Sequence, residues 1–178
     1  MAAKPTDDMP RYDLSELSVL FLEQHSTMRS LMRQVLRELG IRKLQDADNP
    51  NNAYQHFKRS DYDLVLTDWA PMLDGMSLLK NIRNDPASPN QYVPVIVITA
   101  HTDIDRVYAA RDLGMTEFLA KPISAKLLYG RIRAVIENKR SFVKSDDFFG
   151  PDRRRKLVEF DGEDKRKGDA TDGDTAAA

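Results

Sequence analysis

Three residues far apart in the chain have the types needed for phosphoryl transfer to a carboxylate: Asp68, Thr99 and Lys121. Asp68 closes the apolar run DLVLT, Thr99 closes VPVIVIT, and Lys121 follows EFLA. A fourth run, SVLFL, ends on Glu23 and Gln24. Each of these positions is the carboxyl end of a candidate strand. An aspartate so placed is a competent nucleophile and would form an acyl phosphate. Carboxylates together with a backbone carbonyl would hold a Mg²⁺ ion, which usually takes one or two carboxylates and keeps several waters. Lys121 would neutralise one phosphoryl oxygen, and the Thr99 hydroxyl would donate to another.

Those runs must be carried by a scaffold, and its elements are legible. After SVLFL, Met28, Leu31, Met32, Val35, Leu36 and Leu39 recur at three- and four-residue steps, with Ser26 or Thr27 as cap and Gly40 as stop. RKLQDAD reads as a short second strand. Asn49-Pro50 places an N-cap before a proline at the first helical position, with Ala53 and Phe57 facing inward. DLVLT is the third strand, and a helix carrying Met76, Leu79 and Ile82 follows it. VPVIVIT is the central strand; Ile104, Val107 and Ala110 mark the next helix, which stops at Gly114. EFLA and a helix from about Ser124 to Arg140 complete five βα units over residues 15–140. Strands alternating with helices, several of them apolar throughout, specify a parallel sheet covered on both faces. The expected class is α/β with the flavodoxin-like strand order 2-1-3-4-5, where sites form beyond the carboxyl ends of the strands.

Bulk properties narrow the function further. The 178 residues are 41% hydrophobic and 31% charged, a balance suited to a globular core. A formal net charge of −1 supplies no global field for nucleic acid or anionic lipid. The absence of cysteine removes disulfides, thiolate metal sites and cysteine catalysis, and it suits a reducing cytoplasm. No apolar run approaches the roughly 20 residues that span a bilayer, and the opening MAAKPTDDMPRYD is not a signal peptide. The expectation is a cytoplasmic protein with a loose arm at residues 1–14. His25, His56 and His101 are scattered and form no metal triad, and no glycine-rich phosphate loop is present.

The segments FLEQHSTMRSLMRQVLRELG, DLVLTDWAPMLDG, VPVIVITA and GMTEFLAKP resemble the CheY-like response-regulator receiver domains of bacterial two-component signalling. An acidic strand end, Gly75 seven positions after the acceptor, a Thr-Ala pair and a Lys-Pro pair are specific in combination. The resemblance implies that Asp68 is the phosphoacceptor, Lys121 contacts the phosphoryl group, Thr99 is the switch hydroxyl and Phe118 the switch aromatic. It implies a cis peptide at Lys121-Pro122, Mg²⁺ held near Glu23, Gln24, Asp68 and the backbone carbonyl of Ala70, and a histidine kinase or phosphotransfer protein as phosphoryl source. The output would be a downstream protein docking on the face built from helix four, strand five and helix five. The domain would not be an enzyme acting on an external substrate.

The chain departs from the family in three places. The family has two acids after strand one, whereas Gln24 brings no charge, so metal affinity is expected to be weakened. The loop from Asp68 to Gly75 is one residue shorter than in CheY, which puts the Ala70 carbonyl in doubt as a ligand. Ala70 and His101 occupy positions that tune dephosphorylation in the family, and neither offers a carboxylate or amide. A longer-lived phosphoryl group is expected.

Residues 141–178 change in character. Phe142, Phe148 and Phe149 are interleaved with acids, four bases run from Arg153 to Lys156, and a mixed-charge stretch follows. The expectation is a disordered polyampholyte with no DNA-binding output domain; the alternative is a docking peptide whose phenylalanines anchor it to a partner or to the domain itself. Two other readings stand beside the switch. One is a pseudo-receiver, an interaction module that works without phosphorylation. The other is an adaptor binding cyclic di-GMP through Arg153, Arg154 and Arg155, which resemble the arginine-rich tails of some CheY-like proteins in composition.

Overall fold

The computed structural model describes residues 12–70, 73–100, 103–138, 140–145 and 148–152. Five parallel strands, β1 (Ser18–Leu22), β2 (Lys43–Ala47), β3 (Leu64–Asp68), β4 (Val95–Thr99) and β5 (Glu117–Ala120), form one sheet in the order β2-β1-β3-β4-β5. Helices α1 (Ser26–Glu38), α2 (Pro50–Arg59), α3 (Gly75–Asn84), α4 (Ile104–Asp112) and α5 (Ala125–Glu137) alternate with them. The expected α/β class and strand order are what the chain adopts.

The apolar strand runs explain the two-sided cover. β3 and β4 are buried along their whole length, with neighbouring residues facing opposite layers. Val65, Val95 and Val97 pack toward α2 and α3 with Phe57, Leu79 and Ile82, while Leu64, Ile96 and Ile98 pack toward α1 and α5 with Leu36, Leu128 and Ile132. The caps follow local chemistry in most cases. Asn49 accepts from the Asn52 N–H at 2.9 Å ahead of Pro50, Asp74 accepts from Ser77 N–H at 3.1 Å, and Ser124 accepts from Leu127 N–H at 3.2 Å. α1 differs from expectation. Its N-cap is His25, in extended backbone conformation and with no side-chain cap bond, and Ser26 and Thr27 lie inside the helix.

Short stretches of both expected arms, within residues 12–14 and 141–152, pack on the domain. Residues 1–11 lie outside the described residues, but Leu14 is buried among Val19, Ile96 and Ile132. Tyr12 donates its hydroxyl to Glu137 at 3.0 Å and its N–H to Tyr129 at 3.0 Å. Beyond α5 the chain does not become a loose tail at residue 141. Strands β6 (Phe142–Ser145) and β7 (Phe148–Pro151) pair antiparallel as a hairpin. The hairpin docks at the amino ends of β4 and β5, opposite the end where sites form in such sheets.

What holds the hairpin is an aromatic cluster around a buried cation. Tyr92 meets Phe142 and Phe149 edge-on, with ring centroids 5.1 and 5.4 Å apart. Arg83, 1% exposed, donates Nε to the Gly114 carbonyl at 3.0 Å and Nη1 to the Gln91 carbonyl at 2.7 Å, and lies 5.2 Å from the centre of the Phe142 ring. Burial pushes its guanidinium down to about 9, which still leaves it a cation at neutral pH. Gly114 has φ +90, and a side chain there would come within 2.6 Å of the Phe149 carbonyl oxygen, so its glycine serves both backbone and packing. The remainder of the expected tail, including Arg153, Arg154 and Arg155, lies outside the described residues.

Candidate functional site

Parallel strands of similar register end on one rim, and the site residues are consequences of that. Asp68 is the last residue of β3 and Thr99 the last of β4, while Glu23 and Lys121 directly follow β1 and β5. Glu23, Asp68 and Thr99 are all buried, at 3%, 4% and 0% exposure, and so this is an enclosed polar pocket rather than a set of surface charges.

Lys121 organises it. Its Nζ lies 3.0 Å from Asp68 Oδ1 and 3.1 Å from Glu23 Oε2. The hydrogen bond is directed at Glu23, and Asp68 Oδ1 is left buried without one. Glu23 Oε1 accepts from the His25 backbone N–H at 2.9 Å and lies 3.2 Å from His25 Nδ1. The electrostatics follow from one cation facing two buried anions. Burial pushes the Asp68 carboxyl above the usual aspartate value, and the neighbouring Glu23 adds to that; Lys121 opposes it without prevailing. Burial pushes Glu23 the same way, but the His25 N–H and Lys121 together hold it below the ordinary glutamate range. Lys121 is itself disfavoured by burial, yet its two carboxylates raise it above the free lysine value. The raised Lys121 value marks its contact with Asp68 as favourable to charge, whereas the raised Asp68 value marks the same contact as insufficient. The pocket holds an excess of negative charge, because a single ammonium faces two desolvated carboxylates.

Thr99 sits beside this pair but is turned. Its hydroxyl donates to the Trp69 carbonyl at 2.6 Å, bonding to the backbone just past Asp68. The Lys121 N–H donates to the Thr99 carbonyl at 2.9 Å, which ties the β4 and β5 tips together. The Lys121-Pro122 peptide is cis. Phe118 is half-buried on β5 at the edge of the α4 side. Trp69 is partly exposed, with the Arg106 guanidinium 5.5 Å from its ring centre.

The residues expected around a metal are brought together only in part. Asp68 and Glu23 supply two carboxylates; among the described residues no group of three or more His, Asp or Glu side chains is placed to hold an ion. Gln24 is exposed at the rim. The Ala70 carbonyl accepts the Leu73 N–H at 3.0 Å, closing a tight turn in the shortened loop. A hard divalent ion fits the remaining chemistry: two buried carboxylates that face a single ammonium and so leave an excess of negative charge. Glu23, Asp68 and Gln24 would hold Mg²⁺ here. Restoring the missing charge with Gln24→Asp should tighten Mg²⁺ roughly tenfold, or ~1.4 kcal/mol. Trp69 emission during a Mg²⁺ titration measures it, and an unchanged midpoint would place the ion away from this rim.

One contributor carried no sequence signal. Arg29 donates Nη1 to the carbonyls of Glu23 and Gln24 at 2.9 and 2.8 Å while its Nε pairs with Asp46 at 3.2 Å. Arg33 reaches the same Asp46 at 2.6 Å. This bracket fixes the loop after β1 and so the direction of the Glu23 carboxylate. His101 lies outside the described residues.

A doubly covered parallel sheet of this strand order, with an acid pair and a lysine converging at its carboxyl edge, defines a receiver-type domain. The response regulator receiver domain family matches residues 19–133, and the chain belongs to that family. Its relatives include chemotaxis protein CheY-3 of Vibrio cholerae, 34% identical over 122 residues that span 68% of this chain and 92% of that protein. Chemotaxis protein CheY of Pseudomonas aeruginosa is 29% identical, over 68% of this chain and 97% of that one. Among solved structures, the receiver domain of the P. aeruginosa sensor histidine kinase PA1611 superposes with a TM-score of 0.60 at 27% identity, over 68% of this chain and 98% of that one. That structure has a magnesium ion coordinated in its active-site cleft. V. cholerae CheY4 shares the fold at a TM-score of 0.60 and 19% identity, over 67% of this chain and 98% of that one.

Proposed function

We propose that this receiver domain is a phosphorylation-dependent switch with Asp68 as acceptor. The observation that carries the reading is the buried carboxylate of Asp68, with one oxygen free of hydrogen bonds and the Lys121 ammonium 3.0 Å away. In the transfer, an Asp68 oxygen attacks the phosphorus of a phosphohistidine on a sensor kinase or phosphotransfer protein. The O–P bond forms, the N–P bond breaks, and the imidazole leaves and takes up a proton. Lys121 is placed to hold a phosphoryl oxygen, and the ion held by Glu23, Asp68 and Gln24 would supply the remaining charge neutralisation.

The readout follows from Thr99. Its hydroxyl now donates to the Trp69 carbonyl, and a phosphoryl oxygen on Asp68 is a stronger, charged acceptor. Reorientation of Thr99 would shift the β4–α4 loop and draw Phe118 further in, so reshaping the α4–β5–α5 face for a downstream protein. Among the described residues no helix is long and apolar enough to cross a membrane.

A pseudo-receiver is the competing reading. Uncharged Gln24 and the Ala70 carbonyl committed to Leu73 are the observations that favour it. Adding beryllofluoride, a phosphoryl analogue, to the Mg²⁺-loaded protein separates the two. The switch requires a saturable change in Trp69 emission; a flat response with the protein folded would assign the pseudo-receiver.

A further inference from the structure

The α4–β5–α5 face carries exposed apolar side chains beside a groove that the end of the hairpin borders. α4 buries only Ala110 and leaves Ile104 and Tyr108, four residues apart on one face, 63% and 45% exposed. Beside them runs a groove with Val107, Tyr108, Met115 and Phe118 on its apolar side. Arg111, Arg131 and Arg140 line it as well, against the single carboxylate of Glu117. Glu117 is already held by Arg140 at 2.9 Å and Arg131 at 3.5 Å, so it adds no negative charge that is free to repel an acidic ligand. Pro151, the last residue of β7, lines the same groove, and the Asp152 N–H donates to the Ser141 carbonyl at 2.7 Å. The hairpin therefore delivers the chain to the edge of this groove.

The chain continues from there for residues 153–178. After the four bases Arg153–Lys156 comes LVEFDGED, residues 157–164. Leu157, Val158 and Phe160 are interleaved there with Glu159, Asp161, Glu163 and Asp164. The apolar residues match the groove's apolar wall and the acids match its arginines. The five residue steps from Asp152 to Leu157 span at most about 18 Å, enough to bring Leu157 over the groove.

We infer that segment 157–164 docks in cis on the α4–β5–α5 groove, its apolar side chains against Val107, Tyr108 and Met115 and its acids on the three arginines. A tether this short gives an effective concentration of roughly millimolar, so even a weak contact is substantially occupied. The segment is thus a resident competitor for whatever protein binds this face. That consequence rests on the signalling reading above, whereas the docking itself is a property of the unphosphorylated chain.

The full chain has no cysteine, so Gly162→Cys accepts a single nitroxide label. In isotope-enriched labelled protein the amides of Val107, Tyr108 and Met115 should lose intensity, more than those of the exposed residues of α2. The loss should disappear when Leu157→Asp and Phe160→Asp are added, and shrink as salt is raised. All three substitutions lie outside the sheet and helices described above. Intensity loss confined to another surface, or none, overturns the proposal. Loss that appears when labelled unenriched chains are mixed with unlabelled enriched ones assigns the groove to a second copy and overturns cis docking.

Discussion

Asp68→Asn is expected to abolish the beryllofluoride response of Trp69 and, in the same protein, to raise the melting temperature at neutral pH. The first effect is the removal of the nucleophilic oxygen. The second follows from the pocket's charge balance, two desolvated carboxylates against one ammonium. Because burial raises the Asp68 value above 3.8, the native state binds this proton more readily than the unfolded chain does. Stability therefore falls as pH rises from the unfolded value through the raised folded one, and the deficit persists above that window. Asparagine has no such deficit, so the gain should be on the order of 1 kcal/mol at pH 7. It should vanish in acid, where Asp68 is protonated in both states. Glu23 behaves oppositely. Its value is held below 4.5, and its contribution is present above that pH and lost as pH falls through the depressed folded value. In the wild type the two trends offset each other on acidification; in Asp68→Asn only the Glu23 loss remains, and the variant's stability should fall more steeply with acid. Urea denaturation across that pH range measures it. A variant less stable than wild type at neutral pH would mean that the Lys121–Asp68 contact outweighs desolvation, and that the pocket holds no excess of negative charge.

What was legible in the sequence divides along a physical line. Strand runs such as VPVIVIT and the helical stripe from Met28 to Leu39 are local patterns, and they specified the parallel sheet and its order. That Asp68, Thr99 and Lys121 end on one rim was legible because strand ends are readable and parallel strands share a rim. Contacts between residues distant in sequence and unmarked by spacing were not legible. The pairing of Arg29 and Arg33 with Asp46, which braces the loop after β1, is one. The hairpin is the largest case. Phe142 and Phe149 among acids read first as solvated chain, with anchoring on the domain only as the alternative, because their partners Tyr92, Arg83 and Gly114 come from three other parts of the sequence.

Gly75 carries more than the start of a helix, and its replacement should have the largest structural effect on the site. It opens α3 directly above the end of β3, with the Thr67 hydroxyl donating to its carbonyl at 3.1 Å. A methyl group there would overlap the Asp68 backbone carbonyl and come within 2.7 Å of Thr67 Oγ1. Those are backbone atoms of the acceptor itself and a buried side chain of its neighbour, and no rotamer change relieves the overlap. Gly75→Ala must push α3 away from β3 or tilt the strand end. Overpacking of this kind should cost about 3 kcal/mol. Tilting of the strand end shifts Asp68 relative to Lys121, whose position is tied to β4 through the Thr99 carbonyl. The beryllofluoride midpoint should therefore rise even at temperatures where the variant is fully folded. Ile82→Ala supplies the control. Ile82 is fully buried on the same helix and should cost roughly 2–5 kcal/mol, but it lies far along α3 from the acceptor and should leave the midpoint unchanged. If both variants shift the midpoint equally, the site responds to global stability alone and Gly75 has no positioning role. If only Gly75→Ala shifts it, the close approach of α3 to the β3 tip sets the geometry of the acceptor.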